Sequence, residues 1–159
     1  MDEENWEQAL HLLQEALRLH ESIGEDYRSG HARHYIAFVL RKLGRAQEAH
    51  AMMSAHLWQW MHLESDLILA FFAEDYSAVL AEAGFPRFAP FLLGASEAER
   101  KRRGLPRDQS QATQIAEASA AARQAMTPAE WDVAHERGQR TPVKDALAEA
   151  IASTTDLRV

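Results

Sequence analysis

One turn, met twice at a fixed distance, limits what this chain can become. The stretch Leu40-Arg-Lys-Leu-Gly-Arg-Ala-Gln-Glu-Ala49 reads as the end of one helix, a glycine turn and the start of the next. Gly44 is answered by Gly84, and Val39-Leu40 by Val79-Leu80, each 40 residues on. Ala9, Ala49 and Ala89 fall in the same register. A period of this size predicts a helical-hairpin repeat. In each unit a glycine ends helix A in the left-handed conformation, and a small residue lets helix B approach closely. Ala37 and Ser77 are the matching small positions on the A helices. A lone hairpin cannot bury its apolar face, so the units are expected to stack into a curved solenoid.

The pattern around these turns predicts about eight helices. The first runs from about Asn5, its expected cap, to Ser22, with Trp6, Leu10, Leu13 and Leu17 as its stripe. The second, from Asp26 to Leu43, is apolar on more than one side, as a helix between neighbours must be. The third, Ala46 to Met61, presents Ala49, Met52, Met53 and Leu57. Trp58 and Trp60 cannot share one face of it; packing against the next hairpin is preferred to exposure of either. The fourth, Ser65 to Ala83, holds the most hydrophobic run, Leu67-Ile-Leu-Ala-Phe-Phe-Ala73. The fifth starts near Pro86, keeps Pro90 in its first turn and ends at Arg103, before the break Gly104-Leu-Pro106. Asp108 with Gln111, and Thr127-Pro128-Ala129-Glu130, read as capping boxes opening two shorter helices. The second of these is expected to stop at Gly138. Thr141-Pro142 opens the last, with Val143, Leu147 and Ile151 as its stripe, and residues 154–159 are expected to fray.

Gly-x-x-x-x-Ala within a two-helix unit resembles the tetratricopeptide repeat, although 40 residues exceeds that family's usual ~34. The longer unit is similar to the C-terminal repeats of bacterial LuxR-type and related signal-transduction ATPase regulators. Ala89-x-x-x-Leu93-Gly94-Ala95-Ser96-Glu97-Ala98 resembles that family's Leu-Gly-Ala-x-Glu-Ala run. Pro106, Ala121-Ala-Arg123, Trp131, Gly138-x-x-Thr141-Pro142 and Asp145-Ala146 resemble its terminal segment in the same order. The resemblance implies an all-α, tetratricopeptide-like solenoid of about 40-residue hairpins with a C-terminal helical cap. Repeats would occupy 1–103 and capping helices 104–159 of the same domain. It implies a non-catalytic interaction or sensing scaffold whose partners include other modules of a larger regulator. The chain lacks the Gly-x-x-x-x-Gly-Lys-[Ser/Thr] phosphate loop and an obvious helix-turn-helix reader, so it would be the repeat portion alone. The start inside a helical pattern agrees with a fragment of something longer.

Composition narrows the chemistry. A formal charge of −7 argues against direct nucleic-acid binding by the whole surface. No cysteine is present, so disulfide frameworks and thiolate metal sites are excluded. The acidic start is not a signal peptide, and Leu67 to Ala73 is too short to span a bilayer. A soluble, cytoplasmic protein is expected. Eight histidines invite a metal reading, with His31 and His34 three apart and Glu21 or Asp26 near by. No His-Glu-x-x-His motif or repeated Glu-x-x-His pair supports it, so neither metal nor cofactor is expected. His62-Leu-Glu64 and His135-Glu136 place acid beside base, but no nucleophile motif accompanies them, and an enzyme is not expected. Arg100-Lys-Arg-Arg103 reads as a solvated basic helix end suited to the dipole.

In a stacked repeat the A helices line a concave face. Register then points His34, Phe38 and Arg41 of the second helix, and Glu74 and Ala78 of the fourth, toward a groove for a protein or peptide partner. The competing reading is a small-ligand- or metal-binding helical bundle that uses the histidines. Self-association is a third.

Overall fold

The computed structural model describes residues 2–61 and 65–155, with the backbone alone at 58–60. Among these residues there are eight helices and no strand. They are α1 (Glu3–Ser22), α2 (Asp26–Lys42), α3 (Ala46–Trp60), α4 (Asp66–Glu82), α5 (Phe88–Arg103), α6 (Gln109–Gln124), α7 (Pro128–Gln139) and α8 (Val143–Thr155). The chain divides into two compact units, Met1–Trp60 and Met61–Val159, so the expected boundary after residue 103 falls inside the second. The expectations for the side chains of Trp58 and Trp60, for His62-Leu-Glu64 and for residues 156–159 of the tail lie outside the described residues, while Thr154 and Thr155, expected to fray with them, are the last residues of α8, Thr154 buried.

In the first unit α1 packs on α2, and α2 on α3. Asp2, rather than Asn5, caps α1: its carboxylate accepts the Asn5 backbone N–H at 3.1 Å. A carboxylate there also meets the positive end of the helix dipole, which an amide does not. The core is built from Leu10, Ile36, Leu40, Ala49, Met53 and Leu57, all nearly inaccessible. Each large side chain among them contributes about 1.5–3 kcal/mol by leaving water. Ala49, in the recurrent register, is fully buried, and Ala37 lies 2 % exposed on α2. Ala9 is only half-buried, so the register is closed at Ala49 and Ala89 but not at the first alanine.

The turns at Gly44 and Gly84 are built alike. Both glycines have positive φ, +71° and +99°. The Arg45 N–H donates to the Leu40 carbonyl, and the Phe85 N–H to the Leu80 carbonyl, each at 2.8 Å. These are the closing bonds of a Schellman turn. Gly24 and Gly104 close α1 and α5 in the same way, through Glu25 to His20 and Leu105 to Arg100.

The second unit gathers around α5, which meets α4, α6, α7 and α8. Helix α4 is covered in turn by α5, α6 and α8, so the apolar run Leu67–Ala73 is buried on nearly every side. Tyr76, Leu69, Leu80, Phe91, Leu92, Val143 and Leu147 form the interior. Both capping boxes are present, Asp108 with Gln111 and Thr127 with Glu130. Helix α5 begins at Phe88, because Pro86 belongs to the preceding turn, where its carbonyl accepts the Ala89 N–H.

Gly138 does not stop α7. The helix runs on to Gln139, and Gly138 is buried where α7 crosses α5. A Cβ on Gly138 would lie 2.0 Å from the Phe91 carbonyl oxygen, and one on Gly94 would lie 2.1 Å from that of His135. The two glycines let the two backbones touch.

Candidate partner-binding surfaces

The five positions placed on a groove by register divide between the units. In the first, Phe38 is half-buried against Trp6 of α1, with ring centroids 5.9 Å apart at 70°, and Lys42 lies over its other side at 5.4 Å. Phe38 therefore helps to close the α1–α2 hairpin. His34 stacks edge-on with Tyr35 at 5.2 Å, and Arg41 is half-buried. In the second unit Glu74 and Ala78 are buried, 7 % and 4 % exposed. A solenoid register would leave that side of α4 open; here α6 and α8 also pack on the helix. Glu74 and Ala78 thus belong to an interior and cannot receive a partner.

Glu74 instead organises a charged cluster. It accepts from Arg100 Nε at 2.6 Å and Nη2 at 2.9 Å, from Ser96 Oγ at 2.6 Å and from Arg107 Nε at 3.0 Å. Arg107 also reaches Glu97 at 3.0 Å, and Glu97 faces His135 Nε2 at 2.7 Å. The basic run at the end of α5 is therefore split. Arg100 turns inward, over Phe71 at 4.6 Å, while Arg102 and Arg103 fold back onto Glu99. A fork of two parallel bonds explains why an arginine occupies position 100. The signal for it was an acid set inside the most apolar helix, 26 residues before an arginine. Spacing alone could not pair them.

Among the described residues the histidines do not converge. His31 packs edge-on against Tyr27 at 4.5 Å. Burial, with Arg33 near by, holds the His56 imidazole below its ordinary range. Among the described residues no group of three His, Asp or Glu side chains is placed to hold a metal ion.

The second unit carries an open groove of about 1100 Å³ that register did not indicate. Its lining includes Phe85, Phe88, Phe91, Met126 and Val133, with the charged Arg87, Glu130, Arg137 and Glu149 among them. Val133 is 70 % exposed, in the middle of a helix whose Trp131 is buried. Arg137 lies over the Phe91 ring at 4.4 Å and is tied to Glu149. The backbone N–H of Thr127, then its hydroxyl and Arg87, draw the Glu130 carboxyl below the usual glutamate range. The sequence signal was Val133 between the charged neighbours of α7, but an isolated apolar residue on a helix is ordinary. A second hollow, of about 900 Å³, is bordered by Lys101, Arg102 and Arg140. Those cations sit at the ends of α5 and α7, where they offset two negative helix termini.

No protein-family model matches this chain, and no curated protein or solved structure matches it. The surfaces themselves therefore carry the functional argument. Among the described residues no helix is long and apolar enough to cross a membrane.

Proposed function

We propose that the chain is a non-catalytic protein-interaction scaffold, built from tetratricopeptide-like hairpins with α6–α8 as a C-terminal cap. Its resemblance to the repeat regions of LuxR-type regulators makes a signalling assembly the setting. The observation that supports it is the groove lined by Phe85, Phe88, Met126 and Val133. A trough between helices whose apolar side chains alternate with charges that are already paired suits the apolar face of an amphipathic helix. Methionine and phenylalanine side chains adapt to such a face without a fixed polar pattern. A small-molecule site would present convergent polar groups at its floor. Here the charged groups of the lining already have partners: Arg137 lies over the Phe91 ring and bonds Glu149, and Glu130 closes the Thr127 cap.

Helical peptides selected from a random display library against the intact chain test this reading. Binders are expected to carry apolar anchors at i, i+3 or i+4, and i+7, and to lose at least about tenfold in affinity on Val133→Glu. Val133 is largely exposed and glutamate is a good helix former, so that variant keeps the fold. Selection that yields only binders indifferent to Val133→Glu overturns it.

A further inference from the structure

Phe91 lines the groove, yet only 1 % of it is exposed. The rest of the aromatic lining is less hidden: Phe85 and Phe88 are half-buried, and Val133 stands out to solvent. The cover over Phe91 is a side chain. The Arg137 guanidinium lies over its ring at 4.4 Å, and Arg137 is itself 56 % exposed, so it stands between the ring and water. The ring alone is a weak hold on that cation, about 0.5–1 kcal/mol at an exposed site. A second hold comes from α8, where Glu149 Oε1 accepts from Arg137 Nη2. Helices α7 and α8 both pack on α5 and scarcely on each other, so this bond spans the gap between them.

We propose that Arg137 and Glu149 form a strap that shuts the groove over Phe91, and that its opening sets access to the aromatic interior. This rests on the groove being the binding surface argued above. Three observations suit the pair to the task. It joins two helices that α5 already fixes, so its opening leaves the fold intact. Both side chains reach water, 56 % and 39 % exposed, so parting them exchanges an ion pair for hydration at about 0.2–1 kcal/mol, a cost that a modest apolar contact repays. Opening is also a side-chain rotation, with no demand on the backbone. Glu130, the other carboxylate of the lining, is committed elsewhere: it accepts the Thr127 N–H at 2.7 Å and so belongs to the end of α7.

Uptake of Nile red, a neutral apolar dye, by the full chain provides the test. Loss of the bond in Glu149→Gln is expected to raise dye affinity about threefold, the equivalent of one exposed ion pair. That difference is expected to vanish near 1 M sodium chloride, where the Debye length falls to about 3 Å and the wild-type pair is screened too. Glu149→Arg, which sets two cations face to face, is expected to raise affinity as well. Adding Arg137→Glu, which rebuilds the pair in reverse, is expected to lower it again. The gain in Glu149→Gln is expected to disappear when Val133→Glu is added, which places the dye in the groove. Equal uptake by the wild type and Glu149→Gln overturns the proposal. A gain that survives Val133→Glu, or that the reversed pair does not undo, also overturns it, because the chain has then loosened elsewhere. Selected helices that bind through Val133 with the same affinity in the wild type and Glu149→Gln remove the strap and leave the proposed function standing. Dye uptake governed by the pair, in a chain for which no Val133-dependent helix is found, supports the strap and removes the proposed function alone.

Discussion

A methyl group is the smallest change that tests how closely α5 and α7 are joined. At Gly138 it would stand 2.0 Å from the Phe91 carbonyl oxygen, and the atom in the way is backbone. No rotamer change relieves that clash; the helices must part. Gly138→Ala is expected to destabilise the chain by about 3 kcal/mol, the upper range of overpacking penalties, in urea denaturation. Gly44→Ala provides the contrast. Nothing lies within 4 Å of its added Cβ, and only the left-handed backbone resists it. That penalty is expected to be about 1–2 kcal/mol. Equal losses at the two sites would show that the crossing is looser than described. The same scale explains what a sequence conceals. Gly44 and Gly138 look alike in a string of letters, and both read as helix ends. One ends a helix and the other is a point of contact between two, and the difference depends on which helix lies opposite.

At the scale of helices, local signals are legible in the sequence and lateral ones are not. Both capping boxes and the glycine turns stand where the sequence places them, because each is decided within a few residues. The partner of a helix face is decided by tertiary packing. Thus Glu74 and Ala78 read as groove residues by register, although α6 and α8, far along the chain, also pack on α4. The aromatic groove escapes the sequence for the converse reason: its lining comes from the α4–α5 turn, α5, the end of α6, α7 and α8. Packing of α8 on α4 has a pH signature. Tyr76 of α4 is fully buried beside Thr154 of α8, and burial pushes its phenol up to about 12, against a partial opposing effect of the hydrogen bond with Thr154. The folded state then holds this proton more tightly than the unfolded one. The stability involved is present below pH ~10, the unfolded value, and is lost as pH rises toward the folded value. A rise of that size in the phenol pKa corresponds to about 3 kcal/mol. Alkaline melts should fall steeply in that interval, and Tyr76→Phe should flatten the slope. An unchanged slope in the variant would assign the alkaline loss elsewhere.

The whole chain is two units that each bury a core of their own. In the second, α4–α8 enclose Leu69, Tyr76, Phe91, Leu92 and Leu147 among themselves. A fragment of residues 61–159 is therefore expected to fold alone, with a single cooperative thermal transition and full sensitivity to Gly138→Ala. A fragment that is helical but melts without cooperativity would contradict this. The unit is held together by an unlike pair of devices. One is the ionic cluster about Glu74, where removal of one partner strands a buried charge and costs about 3–5 kcal/mol. The other is the bare meeting of two glycines.

That meeting has a mechanical consequence for the groove. Helix α7 supplies Val133 and Ala134 to its lining, and α5 supplies Phe88 and Phe91. The same two helices are pinned to each other at Gly94 and Gly138, toward the far end of α7. The amino-terminal half of α7 is held as well: Trp131 is buried with Ala89 and Leu93 of α5 and Ala122 of α6, and Arg123 lies over its ring. Val133 therefore stands between two anchors, two residues after one and five before the other, so the side of the trough that carries it resists being pushed aside.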